Sequence, residues 1–183
     1  NEAYAVAKLA GLQLCAAYRQ QYGDAFIGAI PADVFGPKSH FDPRDSHVIP
    51  ALIYKMHQAK EVGDPIVELW GTGAPRREFV YADDMADACI FVMESYNGAA
   101  VINLGGGMRI SIGELAAAIK EVVEYEGDLV FDTTRPDGMP IKGLDADALL
   151  GMGWRPQVDF YLALRKTYEW FLQTERNEVF NVK

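Results

Sequence analysis

The chain is poor in cysteine and has no long apolar run. Its two cysteines, Cys15 and Cys89, form no Cys-x-x-Cys motif and fall in apolar helical patterns, so we expect buried free thiols and neither a disulfide nor a metal site. No apolar run approaches the roughly 20 residues of a transmembrane helix, and the first residues lack the pattern of a secretory signal. These absences favour a cytoplasmic protein with no membrane partner.

Positive charge is also scarce, and this limits the partners that the protein can bind. The 26 acidic residues outnumber the 17 basic ones, and the formal net charge is −9. Such a balance argues against a general affinity for nucleic acid or for anionic membranes. A phosphate ligand would therefore need cations that the fold collects at one place.

Apolar residues, in contrast, make up 50% of the 183 positions and follow both helical and strand patterns. Strands that alternate with helices predict an α/β fold with a parallel sheet. The predicted strands are 25–30, 67–70, 76–81, 100–104 and 129–132, and the predicted helices are 3–21, 50–60, 83–95, 112–124, 144–151 and 160–175.

Polar residues and glycines mark the ends of several of these elements. Asp83 and Asp84 are expected to cap one helix, and Ser111 is expected to cap the next. The run 105–107 is all glycine, but extended residues follow it, whereas a phosphate-binding glycine loop opens directly onto a helix. We interpret this run as a structural turn.

Tyr4 and Lys8 form the first pair that suggests chemistry. Residues four apart lie on one face of a helix, so the phenol and the ammonium should be neighbours. A nearby cation favours phenolate and brings the phenol pKa, ordinarily about 10, closer to the range useful for proton transfer. An ordinary surface pair has the same spacing, so other motifs must show whether Tyr4 and Lys8 take part in catalysis.

Those motifs occur further along the chain. Tyr4-x-x-x-Lys8, the loop 31–37, the segment 46–51 and the segment 70–84 together resemble the extended short-chain dehydrogenases. Within that family they are most similar to the branch that converts GDP-4-keto-6-deoxy-D-mannose into GDP-L-fucose with NADPH. The resemblance implies the C-terminal part of a Rossmann-type parallel sheet with a smaller α/β substrate-binding domain. Residues 1–37, with strands and helices from 67–104, would form the partial Rossmann half, and 38–66 with 105–183 most of the substrate domain.

The resemblance also implies roles for individual residues. Tyr4 is expected to donate the proton to the C4 carbonyl during hydride transfer, and Lys8 to lower its pKa and hold the nicotinamide ribose. His47 is expected to be the acid/base that works with a cysteine in the C3 and C5 epimerisations, and to contact the cofactor; a loop histidine that caps the next helix is the alternative. The segment Pro31, Ala32, Asp33 and Val34 should lie along the nicotinamide of NADP(H).

A second group is expected to hold the GDP-sugar. It consists of Lys55, Trp70, Arg77, Asp137 and Lys142. Cations suit a pyrophosphate, an indole suits a sugar or base, and a carboxylate suits a hydroxyl. For Lys55 and Lys142, a solvated surface lysine remains an alternative.

Two departures from the family pattern stand out. Asp33 replaces the usual Asn, and a carboxylate cannot donate the hydrogen bonds of an amide. The family's Gly-rich dinucleotide loop, catalytic Ser or Thr and epimerisation Cys have no counterpart in these residues, and Cys15 does not replace that Cys. We therefore expect this chain by itself to be catalytically inactive.

Two other functions stay open on the sequence. One is a different nucleotide-sugar epimerase or dehydratase of the same superfamily, which would use NAD without an epimerising histidine. The other is a non-catalytic module that binds a nucleotide or mediates dimerisation. The first helix, apolar around much of its circumference, predicts burial on more than one side and a homodimer.

Overall fold

The computed structural model describes residues 2–42 and 44–181, and these form six helices and eight strands. The helices are α1 (Glu2–Tyr22), α2 (Val48–Val62), α3 (Ala82–Ser95), α4 (Ile112–Val123), α5 (Asp147–Gly151) and α6 (Phe160–Asn181). The strands are β1 (Ala29–Pro31), β2 (Asp33–Phe35), β3 (Ile66–Trp70), β4 (Arg76–Tyr81), β5 (Ile102–Leu104), β6 (Arg109–Ser111), β7 (Asp128–Asp132) and β8 (Ile141–Lys142). The predicted α/β class is confirmed.

The strands pair mainly in parallel, as helical connections between them require. β1 pairs with β5, β3 pairs with β7, and β4 pairs with β2 and β8, all in parallel. Only β6, which joins the first half of β4, is antiparallel among the described strands. β4 is therefore the strand with the most neighbours, and the pieces of chain that pair with it come from well separated parts of the sequence.

β4 also lies between two hydrophobic cores. Successive side chains of a strand point to opposite faces, and Phe79 and Tyr81 enter the first core while Val80 enters the second. The first core is built around α2, α4 and α6, and the second around α3, β5 and α5. The final helix supplies Leu164, Tyr168 and Phe171 to the first core, whereas its Leu162 is exposed.

Helix α1 departs most from the sequence expectation. None of its residues is buried, and Leu9 and Leu14 each remain 59% exposed. One hydrogen bond that joins α1 to the rest of the chain runs from the Arg19 guanidinium to the Asn97 side chain, at 3.0 Å. An apolar pattern predicts that a helix will be covered, but it does not specify what covers it.

The predicted helix starts have different outcomes. As predicted, Ser111 caps α4. Its hydroxyl accepts a hydrogen bond from the Glu114 N–H, and the Glu114 carboxylate accepts one from the Ser111 N–H, which forms a capping box. Asp83 and Asp84 do not cap α3, which begins after Tyr81 without a side-chain cap. Asp84 is instead buried, and its carboxylate accepts hydrogen bonds from the backbone N–H groups of Gln157 and Val158. A carboxylate in the first turn of a helix can thus bind a distant loop.

The cysteines are free, as predicted, but they are not buried. Cys15 is half-buried in α1 and Cys89 is exposed on α3. The apolar pattern around Cys89 predicted the wrong face of α3, because that helix contacts its core through Met85, Ala88 and Val92. No helix in residues 2–42 and 44–181 is both long and apolar enough to cross a membrane.

The glycine run 105–107 is a structural turn, as the sequence predicted. It is followed by the strand β6, and its backbone is held by Glu78, which is 1% exposed. The Glu78 carboxylate accepts hydrogen bonds from the N–H of Gly107 at 3.0 Å and of Leu144 at 2.8 Å. A Cβ on Gly105 would lie 2.3 Å from Glu78 Oε1, so this approach requires glycine.

This arrangement predicts a large stability effect at Glu78. In Glu78→Ala, the N–H groups of Gly107 and Leu144 lose their acceptor and a cavity opens at a buried position, so we expect the free energy of unfolding to fall by about 2–4 kcal/mol. Urea unfolding followed by circular dichroism measures the change. Glu78→Gln keeps one acceptor oxygen and should lose less, and Glu94→Ala, at an exposed position of α3, should lose little. Equal losses for Glu78→Ala and Glu94→Ala would contradict the role given to the buried carboxylate.

Candidate functional site

The pairing of β4 gathers three of the predicted site residues on one face of its sheet. Arg77 and Phe79 share a face of β4 because they are two residues apart. Asp33 of β2 lies in register with Phe79, and Lys142 of β8 lies in register with Arg77. Residues in register on neighbouring strands face the same side, so Asp33, Arg77 and Lys142 lie on that face.

Asp33 and Lys142 form a direct ion pair across this face. The distance from Lys142 Nζ to Asp33 Oδ1 is 2.6 Å, and the two side chains are 57% and 38% exposed, respectively. A small cleft beside the pair is lined by Asp33, Lys142 and the predicted cofactor residues Pro31 and Ala32. Lys142 is thus an exposed lysine with one carboxylate partner, and its binding of the ligand stays a prediction.

His47 lies at a second small cleft that shares Asp33 with the first. This cleft is lined by Asp33, Val34, His47 and Phe79, among others. His47 precedes α2 in an extended conformation (φ −69°, ψ 164°), but its imidazole makes no capping hydrogen bond. The alternative that His47 serves only as a helix cap is thus not supported, and its ring remains exposed at the cleft.

Tyr4 and Lys8 share one face of α1, as their spacing predicted. The Lys8 ammonium lies over the Tyr4 ring, 5.5 Å from its centroid, and Tyr4 is 68% exposed. Within the described residues, no hydrogen bond or ion pair joins these two to His47 or to Lys142. The convergence of the phenol and the imidazole on one ligand stays a prediction.

Arg77 is held in place by backbone carbonyl groups. Its Nη1 donates to the carbonyl oxygens of Arg76 at 2.8 Å and Met139 at 2.6 Å. These bonds fix the guanidinium without neutralising its charge. In the part of the chain that the structure describes, no carboxylate lies within ion-pair distance of Arg77.

Trp70 and Asp137 are brought together by a tight turn after β3. The Asp137 carboxylate accepts hydrogen bonds from the Thr72 N–H at 2.8 Å and from Thr72 Oγ1 at 2.7 Å. A Cβ on Gly71 (φ +80°) would lie 2.2 Å from Asp137 Oδ1, so both the backbone angle and the close approach require glycine. These bonds, that from the Thr72 N–H foremost, lower the pKa of Asp137 below its ordinary value.

Arg135 completes the surroundings of Trp70. Its guanidinium lies 5.1 Å from the centroid of the Trp70 ring, and Trp70 is 68% exposed. Lys55 donates a hydrogen bond to the backbone carbonyl of Glu68, two residues before Trp70. The indole therefore lies against one cation, Arg135, and a second cation, Lys55, is held on the same strand, an arrangement suited to an anionic ligand that also carries a ring.

Arg135 and Glu78 were not predicted from the sequence. Arg135 stands two residues before Asp137, in the turn that wraps the end of β3, and this proximity was the available signal. Glu78 stands beside Arg77 in the recognised motif, but its charge predicted an exposed residue. Its burial depends on donors from two distant segments, which a local pattern does not reveal.

One cluster of metal-ligating types lies outside this face. His40, Asp42 and Asp45 approach one another in the loop before α2. Two of them already pair with each other, since His40 Nε2 lies 2.7 Å from Asp45 Oδ1, and Asp42 is bound by Arg44. These partners account for the cluster without a metal ion.

The family is decided by comparison with known proteins. Residues 1–105, more than half of the chain, match the model of the NAD dependent epimerase/dehydratase family. The chain belongs to this family. Its α/β fold and parallel strand pairs agree with that assignment.

Individual members of the family resemble the chain over nearly its whole length. GDP-L-fucose synthase 1 of Arabidopsis thaliana is 46% identical over 97% of the chain, and GDP-L-fucose synthase of Escherichia coli is 42% identical over 96%. The structure of a GDP-L-fucose synthetase from Naegleria fowleri bound to NADP is 30% identical, with a TM-score of 0.88 over 96% of the chain. The chain covers 55%, 57% and 57% of these three proteins, respectively, so it spans little more than half of their length.

The Asp137 turn predicts a specific pH dependence of stability. The pKa of Asp137 is lowered in the folded state, so its bonds to Thr72 stabilise the protein at a pH above about 4, the ordinary pKa of the group. This contribution is lost as the pH falls through the folded-state pKa.

Asp137→Asn should therefore lower the melting temperature near neutral pH, because an amide offers only one acceptor oxygen. The difference from the native protein should shrink below about pH 4. Thermal unfolding at a series of pH values measures it, with the exposed Asp128→Asn as the control. A difference that stays constant down to the acid range would contradict the assignment.

Proposed function

We propose that the complete protein is an NADPH-dependent epimerase/reductase that makes GDP-L-fucose from GDP-4-keto-6-deoxy-D-mannose. The observation that carries the proposal is the face of β4, where Asp33, Arg77 and Lys142 lie together and Asp33 also borders the His47 cleft. The names of the similar proteins supply the substrate class, and the NADP-bound relative supplies the cofactor.

The cationic part of the site suits the diphosphate of a GDP-sugar. Arg77 presents a fixed guanidinium, and Lys142 lies on the neighbouring strand in register with it. Arginine binds phosphate oxygens through a planar fork, and lysine adds a point charge. In a chain with a net charge of −9, this local pair of cations provides the attraction that the rest of the surface lacks.

The Trp70 turn suits the ring portion of the same ligand. The indole offers a flat apolar surface, and the nearby Lys55 and Arg135 offer donors. Asp137 is ionised and oriented by Thr72, so its remaining lone pairs can accept a hydrogen bond from a sugar or base. We therefore assign Lys55, Trp70, Arg77, Asp137 and Lys142 to the substrate.

His47 is suited to the epimerisation steps. Inversion at a carbon next to a ketone needs a base that removes the proton from one face and an acid that returns a proton to the other. His47 would supply one of these groups, and the cysteine that the resemblance implies outside these residues would supply the other. An imidazole can both accept and donate a proton, which suits this task. The His47 ring is exposed at its cleft and is not used to cap α2, which leaves it available for this transfer.

Tyr4 and Lys8 are suited to the reduction step. NADPH, when bound, supplies the hydride that reaches C4. Tyr4 then gives its phenolic proton to the C4 oxygen, and the Lys8 ammonium on the same helix face stabilises the phenolate that remains. Lys8 would also hold the nicotinamide ribose, with Pro31 to Val34 along the nicotinamide.

We also keep the domain division as a proposal. Residues 1–37 and parts of 67–104 would belong to the cofactor half, and the remainder mostly to the substrate half. A cytoplasmic location and a homodimer are proposed with it. The dimer is supported by the exposed apolar residues of α1, which include Leu9, Leu14 and Tyr18.

The roles of His47 and Tyr4 can be separated by isotope exchange. A fusion of the N-terminal half of the Escherichia coli relative to this chain would supply the nucleotide-binding segment. In deuterium oxide, the fusion should incorporate deuterium at C3 and C5 and reduce C4. His47→Asn should lose incorporation by about a hundredfold or more, and Tyr4→Phe should lose reduction by a similar factor while exchange continues.

The control for this experiment is His40→Asn, which removes an exposed imidazole from the loop before α2. It should leave both activities within about twofold of the unchanged fusion. Normal exchange in His47→Asn would contradict the epimerase assignment and favour a nucleotide-sugar enzyme that does not epimerise at C3 and C5. Mass spectrometry of the product measures the incorporation.

If the protein is a homodimer, its mass in solution should depend on concentration. A charge placed on α1 should then shift the protein toward the monomer. Leu9→Glu places a carboxylate on the exposed apolar surface of α1, and its desolvation in an interface would be costly. Multi-angle light scattering should therefore show a dimer for the native chain and a monomer for Leu9→Glu. Gln173→Glu adds the same charge to an exposed position of α6 and should remain dimeric. A monomeric native chain at micromolar concentration would contradict the prediction.

A further inference from the structure

The ion pair between Asp33 and Lys142 has a consequence for ligand binding. Lys142 lies on the site face of β4 in register with Arg77, and its ammonium is already occupied by a carboxylate at 2.6 Å. An anion that binds Lys142 must therefore replace Asp33 or share the ammonium with it. The second cation, Arg77, has only carbonyl partners for its Nη1, so its charge is open to the same anion.

We propose that Asp33 is an internal counter-ion that competes with the phosphate groups of the ligand for Lys142 and so sets the affinity of the site. The inference rests on the proposed function, because it takes the ligand to be a nucleoside diphosphate derivative. It assigns to Asp33 a role in specificity through Lys142. A diphosphate, with its several charges, can displace the carboxylate, whereas an anion of lower charge competes poorly.

The exposure of the pair makes this exchange feasible. Both side chains are more than a third exposed, and ion pairs at that exposure are weak because solvent screens them. The pair lies at the rim of a cleft, between residues of β2 and β8, and it bridges strands that each pair with β4. Breaking the pair therefore frees a cation without disturbing a buried network.

The position of Asp33 extends its influence to the second cleft. Asp33 also lines the cleft of His47, together with Val34 and Phe79. When the diphosphate takes Lys142, the Asp33 carboxylate loses its cation and becomes an available acceptor at this cleft. Ligand binding on the cationic side thereby changes the electrostatics beside His47.

The test is calorimetric titration of the full 183-residue chain with inorganic pyrophosphate and with GDP. Asp33→Asn keeps the size of the side chain and removes the competing charge. It should bind both ligands about three- to tenfold more tightly than the native chain, the range expected for removal of an exposed counter-ion. The gain should shrink in about 0.5 M salt, where exposed charges are screened.

A second variant shows whether the gain passes through Lys142. Lys142→Met alone should weaken binding by about tenfold, and Asp33→Asn added to it should change affinity less than about twofold. Glu126→Gln alters the net charge by the same amount at an exposed position after α4 and should leave affinity unchanged. Melting curves of all variants establish that they are folded.

Several results would overturn the proposal. Unchanged or weaker binding in Asp33→Asn would show that the carboxylate orients Lys142 for the ligand, or has no part in binding. An equal gain in the Lys142→Met background would show a general field effect. If Asp33→Asn does not bind pyrophosphate, the face does not contain the proposed anion site.

Failure of the proposed function has a different signature. If pyrophosphate and GDP bind more tightly to Asp33→Asn but UDP binds as well as GDP, the counter-ion role stands and the guanine assignment falls. If GDP binds selectively without the expected gain, the assignment of the ligand stands and the counter-ion role falls. The two hypotheses are therefore tested separately by one set of titrations.

Discussion

The structure depends on the alternation of side chains along β4. This strand carries Val80 into one core and Phe79 and Tyr81 into the other, so it joins two hydrophobic bodies that would otherwise be separate. The same alternation buries Glu78, and a buried carboxylate is tolerated only when hydrogen bonds replace its hydration. The N–H groups of Gly107 and Leu144 provide those bonds, which ties the turn after β5 and the segment after β8 to β4.

The placement of charge on the site face follows from this strand. β4 begins with two arginines before its buried half, and the parallel pairing of β8 sets Lys142 beside Arg77. The net charge of −9 therefore says little about this face, because strand register brings cations together locally. The backbone bonds of Arg77 and the hydrogen bonds of Asp137 further fix these groups before any ligand arrives, which reduces the ordering cost of binding.

Local features of the sequence predicted the helices and the longer strands, but not the short strands β2 and β8. Contacts between distant parts of the chain were predicted much less well. Ser111 caps its helix because the capping residue and its partner are three positions apart, and the glycine turn was recognisable from the strand that follows it. Asp84 was misassigned because its true partners lie more than 70 positions away. Likewise, the pairing of Asp33 with Lys142, 109 positions apart, follows from strand register and from no local pattern. Cys89 was placed on the wrong face of α3 because an apolar helix shows little difference between its faces.

The proposed ligand-binding side chains and the proposed proton donor differ in how firmly the surrounding residues hold them in place. Arg77 and Asp137 are held by hydrogen bonds to backbone groups, so these two proposed ligand-binding side chains have defined positions. Tyr4 and Lys8 lie on α1, which has no buried residue, although their mutual geometry is set by the helix itself. Because α1 has no buried residue, the distance from the Tyr4 phenol to the His47 cleft depends on the surface that packs against α1. A sequence motif can specify the proton donor, but its alignment with the sugar depends on the burial of that helix.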